Sequence, residues 1–371
     1  MSGLRTCAVA ALAIVMMGCH SAGPVRVGVV VSDPGVGGAR AAEADVNAAG
    51  GINGRRLELR LMSEGGTTIA HLALAVAESL ADDPSVVAVV GHANSSASIS
   101  AAQIYNERGL VQIAPTSSAP RLTSAGPFTF RLVPNDLHQA QFLVKQIVAQ
   151  AAVPRIALFY VNDDYGRALF LEMRARLADA HVPIVYQRPY EEEKPFVDAD
   201  VVARSVADAH ADLLVWLGRQ PQLHDLLPSL RKLLPRLPIL GSDALDGVAT
   251  AENVDGAFTG VRYVCFLDVS ASTIPMQQLR DKLRAHGTAT VTPEAVLNYD
   301  AVMLVAAAAR TVGTKRAAIR DYLASLGTTR AAFPGTAGPI AFDKQGDPAP
   351  SYCLAEVTRT GPHIILPSSP P

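Results

Sequence analysis

The sequence predicts an α/β protein built as two lobes, each a sheet covered by helices. Short apolar runs rich in β-branched residues, such as Val25 to Val31 and Val86 to Val90, alternate with segments of helical length. Unbroken apolar runs of this kind suit parallel strands that are buried on both faces. The alternation restarts at Ile156, and 371 residues, 49% of them hydrophobic, are enough for two cores.

The first nineteen residues have the features of a secretory signal. Arg5 gives a short basic region, Cys7 to Met17 a mostly apolar core, and Met16-Met17-Gly18-Cys19 a small-residue cleavage context. This pattern resembles a bacterial lipobox, which implies removal of residues 1–18 and diacylation of Cys19. The alternative is a plain signal peptide or an inert cysteine. Lipidation predicts a protein body anchored to a membrane, in the periplasm or at the outer cell surface.

The first strand and the helix after it open the first lobe. The glycines of Ser32 to Gly38 are interpreted as a tight turn, because neither G-x-G-x-x-G nor G-x-x-x-x-G-K-[ST] is present. An alanine-rich helix then extends to Gly50-Gly51. Leu57 to Leu61 alternates apolar with charged residues and is predicted to be a strand with one solvated face.

The stretch from Val86 to Pro120 is predicted to be a βαβ unit with two hydroxyl-rich loops. Leu110 to Ala114 is its second strand, and Gly109 ends the helix between the strands. Both loops would leave the carboxyl ends of parallel strands, where ligands of open α/β sheets bind. Their candidate binding residues are Ser95, Ser96, Thr116, Ser117 and Ser118.

Hydroxyl groups beside the free N–H groups of a helix start form a receptacle for a carboxylate or a phosphate. The alternative is that these residues are N-caps and turn formers that contact no ligand. The chain has no G-x-S-x-G elbow and no visible set of nucleophile, base and orienting acid, so it is predicted not to be an enzyme.

Composition and motifs also exclude several other classes. The formal net charge is -2 without a basic run, which argues against a nucleic-acid partner. The histidines are scattered, without H-E-x-x-H or a Cys/His cluster, so neither a metal nor another cofactor is expected. After the signal, even the apolar run Ala301 to Ala309 falls short of the roughly 20 residues of a membrane span.

The second half repeats the α/β pattern. Short strands are predicted at Ile156 to Val161, Pro183 to Tyr186, Leu213 to Leu217 and Ile239-Leu240. The charge run Glu191 to Lys194 is interpreted as a solvated loop. The predicted export places Cys265 and Cys353 in a compartment where disulfides form. A bridge requires a Cα separation under about 7 Å. The sequence therefore leaves open whether the two cysteines are bridged.

A series of short motifs occurs in order along nearly the whole mature chain: Asp45 to Leu57, Val89 to His92 with Ser95-Ser96, Pro115 to Pro120, Phe130 to Asp136, Asp163 to Gly166, Tyr299 to Val302, and Gly338 to Asp343 with Gly346-Asp347. Together they resemble the branched-chain amino acid binding proteins, the type 1 periplasmic solute-binding proteins of ABC transporters. The resemblance implies the type 1 periplasmic binding fold, with two Rossmann-like lobes joined by three hinge crossings. It assigns residues 24–133 and 265–338 to lobe 1, and residues 134–264 and 339–371 to lobe 2.

The resemblance also implies an α-amino acid bound between the lobes. Its carboxylate would be held by Ser95 and the Thr116 to Ser118 loop, with Ser118 also reaching the ammonium. Asp243 would be the acidic partner of the ammonium, and the ring of Tyr165 would cover the backbone of the ligand.

Two departures from the family pattern concern the ligand side chain. The Ser32 to Gly38 loop is several residues shorter than usual and lacks an aromatic wall, and Arg219 stands where relatives often carry tyrosine. Either Arg219 enters the cleft and favours a ligand side chain that carries oxygen or a carboxylate, or it snorkels to solvent at the rim.

The implied function is that of a membrane-tethered, monomeric receptor that delivers an amino acid or similar small polar molecule to an ABC permease. The alternative is a lipoprotein of the same fold that senses a ligand or binds a partner protein and has no transport role.

Overall fold

The computed structural model describes residues 23–63, 70–192, 194–246, 256–285, 287 and 291–367. The predicted signal of residues 1–18 and the lipidation candidate Cys19 lie outside the described residues. Within the described ranges, helices alternate with strands in two separate large sheets, so the α/β class is confirmed. The helices are α1 (Asp33–Ala48), α2 (Ala70–Ala81), α3 (Ser95–Glu107), α4 (Asp136–Val148), α5 (Asp164–Asp179), α6 (Ala199–Asp208), α7 (Gln220–Leu233), α8 (Ile274–Ala285), α9 (Pro293–Val312) and α10 (Arg316–Ser325).

The first sheet is parallel and has the strand order β2-β1-β3-β4-β5. Its strands are β1 (Val25–Val30), β2 (Leu57–Leu61), β3 (Val86–Gly91), β4 (Val111–Ala114) and β5 (Thr129–Arg131). β3 and β4 are buried along their whole length, as their apolar sequences predict. The strand order reverses between β1 and β3, and this switch leaves a crevice at the carboxyl edge of the sheet.

Helix α1 begins earlier than the sequence predicts. The sequence predicts a turn over Ser32 to Gly38, but α1 starts at Asp33 and includes the glycines of this segment. A Cβ atom on Gly38 would lie 1.9 Å from the carbonyl oxygen of Ala295 in α9, and one on Gly35 would lie 2.6 Å from the Asn298 side chain. The glycines therefore allow α1 and α9 to pack in close contact, which offsets the entropic cost of glycine in a helix.

The second sheet has the order β14-β13-β10-β9-β8-β6-β7. Its strands are β6 (Ile156–Val161), β7 (Ile184–Tyr190), β8 (Leu213–Leu217), β9 (Ile239–Gly241), β10 (Arg262–Cys265), β13 (Cys353–Thr358) and β14 (Gly361–Leu366); a separate pair is formed by β11 (Phe333–Pro334) and β12 (Pro339–Ile340). The strands from β7 to β10 are parallel, whereas β13 and β14 are an antiparallel hairpin at the edge.

Three segments connect the lobes: one between β5 and α4, one between β10 and α8, and one between β12 and β13. Two predicted boundaries need correction. Cys265 still pairs within the second sheet, so the second crossing begins one residue later than predicted. The ring of Phe342 lies 5.0 Å from that of Phe130 in the core of the first lobe. The third crossing therefore follows Phe342, because this buried ring keeps the chain in lobe 1 beyond the predicted boundary at residue 338.

A disulfide joins Cys265 to Cys353, so of the two outcomes left open by the sequence the structure has the bridged one. The two residues lie opposite each other in the antiparallel pair β10 and β13, with their Cα atoms 4.8 Å apart. The bridge ties the second crossing to the third where both meet the second lobe.

Helix α9 is the one helix in the described ranges that is long and apolar enough to cross a membrane. It has 20 residues, but 72% of its most apolar window is buried inside the protein. It contributes Ala301, Val302 and Val305 to the core of the first lobe. This burial indicates a core helix.

Arg131, at the end of β5, has a fully buried side chain. Its guanidinium donates to Asp347 Oδ1 at 2.7 Å, to the Ala119 carbonyl at 2.9 Å and to Thr123 Oγ1 at 2.8 Å. Asn135 donates to the other oxygen of Asp347 at 2.7 Å. These bonds hold the first crossing, the third crossing and the loop after β4 in one arrangement.

The Arg131→Met variant should lose stability, because it leaves the carboxylate of Asp347 without its cation. Breaking a buried ion pair from one side costs about 3–5 kcal/mol. Chemical denaturation should show that loss, whereas Arg262→Met, which removes an ion pair on an exposed strand face, should cost at most about 1 kcal/mol. Equal losses in the two variants would contradict the anchoring role of Arg131.

Candidate ligand-binding site

Two hydroxyl-rich loops of the first lobe lie side by side at the carboxyl edge of its sheet, because β3 and β4 are parallel neighbours. The Asn94 side chain caps α3 by accepting from the N–H of Ala97 at 3.0 Å, so Ser95 and Ser96 are the first residues of the helix. Ser95 Oγ accepts from the backbone N–H of Ala119, in the other loop, at 3.3 Å. The structure therefore brings the two predicted loops into contact.

The hydroxyls of the second loop differ in what they bind. Thr116 Oγ1 donates to the Ala93 carbonyl at 3.3 Å, and Ser117 Oγ shares a hydrogen bond with Ser98 Oγ at 2.7 Å. Ser118 Oγ is buried and has no hydrogen-bond partner of normal geometry in the described part of the chain. Thr116 and Ser117 thus hold the loop together, whereas the Ser118 hydroxyl lies beside the carboxyl of Asp136.

Asp136, at the start of α4, lies next to this hydroxyl and was not predicted as a site residue. Its backbone N–H donates to the Ser118 carbonyl at 2.9 Å, and its Oδ1 accepts from Gln139 Nε2 at 3.0 Å. Its Oδ2 is buried, and in the described ranges it has no hydrogen bond of normal geometry. Burial and the charge of Asp243 raise the pKa of Asp136 well above its ordinary value, although the nearby Ser118 hydroxyl lowers it.

Asp243 follows β9 and belongs to the second lobe. Its Oδ1 accepts from Tyr165 Oη and from Gln139 Nε2, both at 2.6 Å, and its backbone N–H donates to Gln139 Oε1 at 3.0 Å. Burial raises the pKa of Asp243, and the bonds from Tyr165 and Gln139 partly oppose that rise. Burial and the charge of Asp243 raise the pKa of Tyr165, so its hydroxyl keeps its proton and donates.

Arg219 neither snorkels to solvent nor carries a free charge. Its Nη1 lies 2.8 Å from Glu192 Oε2 and 3.1 Å from Asp163 Oδ2, and its guanidinium is 5.9 Å from the centre of the Tyr165 ring. Since two carboxylates of its own lobe already pair with it, the predicted preference for a ligand side chain with a carboxylate loses its basis. Only 22% of the side chain is exposed, so most of it is withdrawn from solvent.

The partners of Arg219 follow from strand order. Asp163 comes after β6, Glu192 after β7 and Arg219 after β8, and β6 lies between the other two strands. The three side chains therefore meet at one edge of the second sheet. The sequence predicts a solvated loop for the charge run Glu191 to Lys194, but the side chain of Glu192 is only 11% exposed.

The two lobes contact each other across the cleft. The backbone N–H of Asp164, at the start of α5, donates to Ser96 Oγ at 3.2 Å, and the Asp164 carboxylate lies 3.6 Å from Arg121 Nη1. Ser96 thus makes a hydrogen bond between the two lobes. Among the described residues no group of three or more His, Cys, Asp or Glu is placed to hold a metal ion.

The arrangement divides charge across the cleft. On the first lobe lie the start of α3 and the buried hydroxyl of Ser118; on the side of the second lobe lie the carboxyls of Asp136 and Asp243. N–H and O–H donors bind an anionic group, and buried carboxylates bind a cationic one. The cleft therefore suits a molecule that carries both charges.

Comparison with known proteins gives a consistent result. A family model described as "Periplasmic binding protein" matches residues 23–362. An "Amino acid binding protein" from Pseudomonas aeruginosa is 30% identical over 232 residues, which are 62% of this chain and 60% of that relative. The "Leu/Ile/Val-binding protein homolog 1" from Brucella abortus is 26% identical over 85% of this chain and 83% of its own length.

Solved structures share the fold. An ABC transporter substrate-binding protein from Desulfitobacterium hafniense, in complex with Leu, has a TM-score of 0.77 and 24% identity, and the match covers 92% of this chain and all of that one. At this identity the likeness shows the fold. The type 1 periplasmic binding fold predicted from the sequence is thereby confirmed.

The Asp136→Asn variant should be more stable than the wild-type protein at neutral pH. The pKa of Asp136 is raised in the folded state. Above pH about 3.8 the unfolded chain releases this proton, whereas the folded protein still binds it. The stability of the wild-type protein therefore falls as the pH rises from about 3.8 towards the raised pKa. The neutral amide avoids this cost, and its oxygen still accepts from Gln139.

Thermal melting near pH 4.5 and near pH 7.5 measures the effect. The gain in melting temperature from Asp136→Asn should be larger at the higher pH. The exposed control Asp321→Asn should show nearly the same small difference at both. A gain in melting temperature that is the same at both pH values would show that the pKa of Asp136 is not raised in the folded protein.

Proposed function

The chain belongs to the periplasmic binding protein family, and we propose that it is a receptor that binds an amino acid in the cleft between its two lobes. The relatives it matches are binding proteins and not enzymes. The observation that carries the proposal is the division of charge across the cleft, because an α-amino acid is a small zwitterion with the same division.

The carboxylate end of the ligand would lie on the first lobe. The N–H groups at the start of α3, in Ser95 and Ser96, favour an anion through the helix dipole. Ser118 Oγ, which is buried beside Asp136, would donate to the carboxylate or accept from the ammonium. Thr116 and Ser117 keep the loop in shape and would contribute through the backbone.

The ammonium end would lie against Asp243. Tyr165 and Gln139 both donate to Oδ1, so Oδ2 remains for an ammonium hydrogen. Asp136 adds a second carboxyl beside Ser118, and its raised pKa reflects a site that lacks a compensating cation. A ligand ammonium would supply that cation, and the ring of Tyr165 would flank the ligand backbone.

The role of Arg219 in this proposal is indirect. Its ion pairs with Asp163 and Glu192 fix the wall next to Tyr165. Because these ion pairs neutralise its charge, Arg219 would not attract an acidic ligand. It would instead shape the pocket for the ligand side chain by its volume and by the planar face of its guanidinium.

Transport is the biological role that we propose. The receptor would be secreted, anchored to a membrane through diacylated Cys19, and would deliver its ligand to an ABC permease in the periplasm or at the outer cell surface. Support comes from the signal pattern of residues 1–19 and from relatives named as ABC transporter binding proteins.

The Asp243→Asn variant should bind its amino acid at least about tenfold more weakly, because a charge-assisted hydrogen bond contributes roughly 1.5–3 kcal/mol. Calorimetric titration with a panel of amino acids measures the change. The exposed control Asp281→Asn, whose side chain is 78% exposed, should bind like the wild-type protein. Equal affinity of Asp243→Asn and wild type would refute the ammonium site.

Replacing Cys19 by Ser should release the protein from membranes, since no lipid can then be attached at the predicted acceptor. Labelled fatty acid supplied to cells should appear in the wild-type protein and not in the Cys19→Ser variant. Cys7→Ser, which changes a cysteine inside the signal, is the control and should remain labelled. Label retained by Cys19→Ser would refute this anchor.

A further inference from the structure

A cavity lies beside the three crossings, and we call it the hinge cavity. Its volume is about 520 Å³, within the range of small-molecule sites. Leu132 of the first crossing, Phe266 of the second and Ser351 of the third line it. Residues of the first lobe, among them Leu297 of α9, complete its wall. No residue that we propose for the amino-acid site lines this cavity.

The hinge cavity has an apolar wall and two carboxylates. Leu132, Phe266, Met276 and Leu297 are examples of the apolar side chains, and the carboxylates are those of Asp268 and Asp300. Among its described lining residues there is no lysine, arginine or histidine. The ionisable side chains that line the cavity are therefore all acidic.

Both carboxylates are held in place by neutral donors. Asp300 accepts from Thr336 N at 2.8 Å and from Thr336 Oγ1 at 2.6 Å, and Asp268 accepts from Ser270 N at 2.8 Å and from Ser270 Oγ at 2.5 Å. In the described chain neither has an ion-pair partner. Since an ionised carboxylate offers about four acceptor sites, each retains capacity for another donor.

Arg280, on α8, does not supply a positive charge to these two carboxylates. Arg280 Nη1 donates to the carbonyl oxygens of Val269 and Ala271 at 2.9 and 3.0 Å. These bonds hold the loop at the rim of the cavity. No ion pair between Arg280 and Asp268 or Asp300 is found in the described chain.

We propose that the hinge cavity binds a small organic cation with an apolar body, such as an arylalkylammonium ion. The apolar body would cover the leucine, phenylalanine and methionine side chains, and the ammonium would lie against Asp300 and Asp268. Burial raises the pKa of Asp300 to about 6, so this buried acid is mainly ionised at neutral pH and lacks a counter-charge. A cation offsets that cost, whereas a neutral ligand leaves it and an anion increases it.

The test uses three probes of similar size and different charge near pH 7.5: 2-phenylethylammonium, 2-phenylethanol and 3-phenylpropanoate. Calorimetric titration of the full mature protein should show binding of the cation, at least tenfold weaker binding of the alcohol and weaker binding still of the anion. Equal affinity for cation and alcohol, or no binding of the cation, would overturn the proposal.

Variants separate the hinge cavity from the amino-acid site. Asp300→Asn and Ala271→Trp, which fills the cavity from its rim, should each weaken binding of 2-phenylethylammonium at least tenfold. Asp243→Asn should leave that binding within about twofold of wild type. The opposite pattern would place the cation in the cleft and overturn the proposal.

A loss of fold in Asp300→Asn would be seen as a lost melting transition, since this residue also holds the Thr336 loop. In that case Asp268→Asn, together with Ala271→Trp, provides the test. Unchanged cation affinity in both of these folded variants would refute the hinge cavity as the binding site.

Discussion

The buried guanidinium of Arg131 is the interaction on which the geometry of the cleft depends. A fully buried cation must have its donors satisfied, because an unpaired buried charge is costly. Arg131 meets this requirement with Asp347 of the third crossing and with the carbonyls of Ser117 and Ala119. The loop that carries Ser118 therefore cannot move independently of the hinge, and its hydroxyl is kept in position.

The second lobe presents the complementary charges. Gln139 binds Asp136 and Asp243 through the same side-chain nitrogen, so the two carboxyls are kept close together although both are buried. Their raised pKa values are the cost of that arrangement. Binding sites commonly accept such a cost, because a ligand that supplies the missing charge recovers it.

Sequence patterns predict the features of the fold that depend on local periodicity. The buried strands, the βαβ unit and the family resemblance are confirmed. The contacts of Gln139 with Asp243 and of Arg131 with Asp347 span 104 and 216 residues, and no local pattern signals a pair at such a distance. Pairing of Glu192 with Arg219 depends likewise on strand order. The sequence predicts a turn for the glycines in the first turns of α1, because the helix they pack against, α9, is distant in sequence.

A crystal structure of the protein with the tightest-binding member of a panel of twenty amino acids tests the central claim most directly. The account predicts density for the ligand between the lobes, its carboxylate within hydrogen-bond distance of Ser118 Oγ or of the first N–H groups of α3, and its ammonium nitrogen about 2.7–2.9 Å from a carboxylate oxygen of Asp243. A ligand bound with its carboxylate towards Asp243, or binding of none of the twenty, would contradict it.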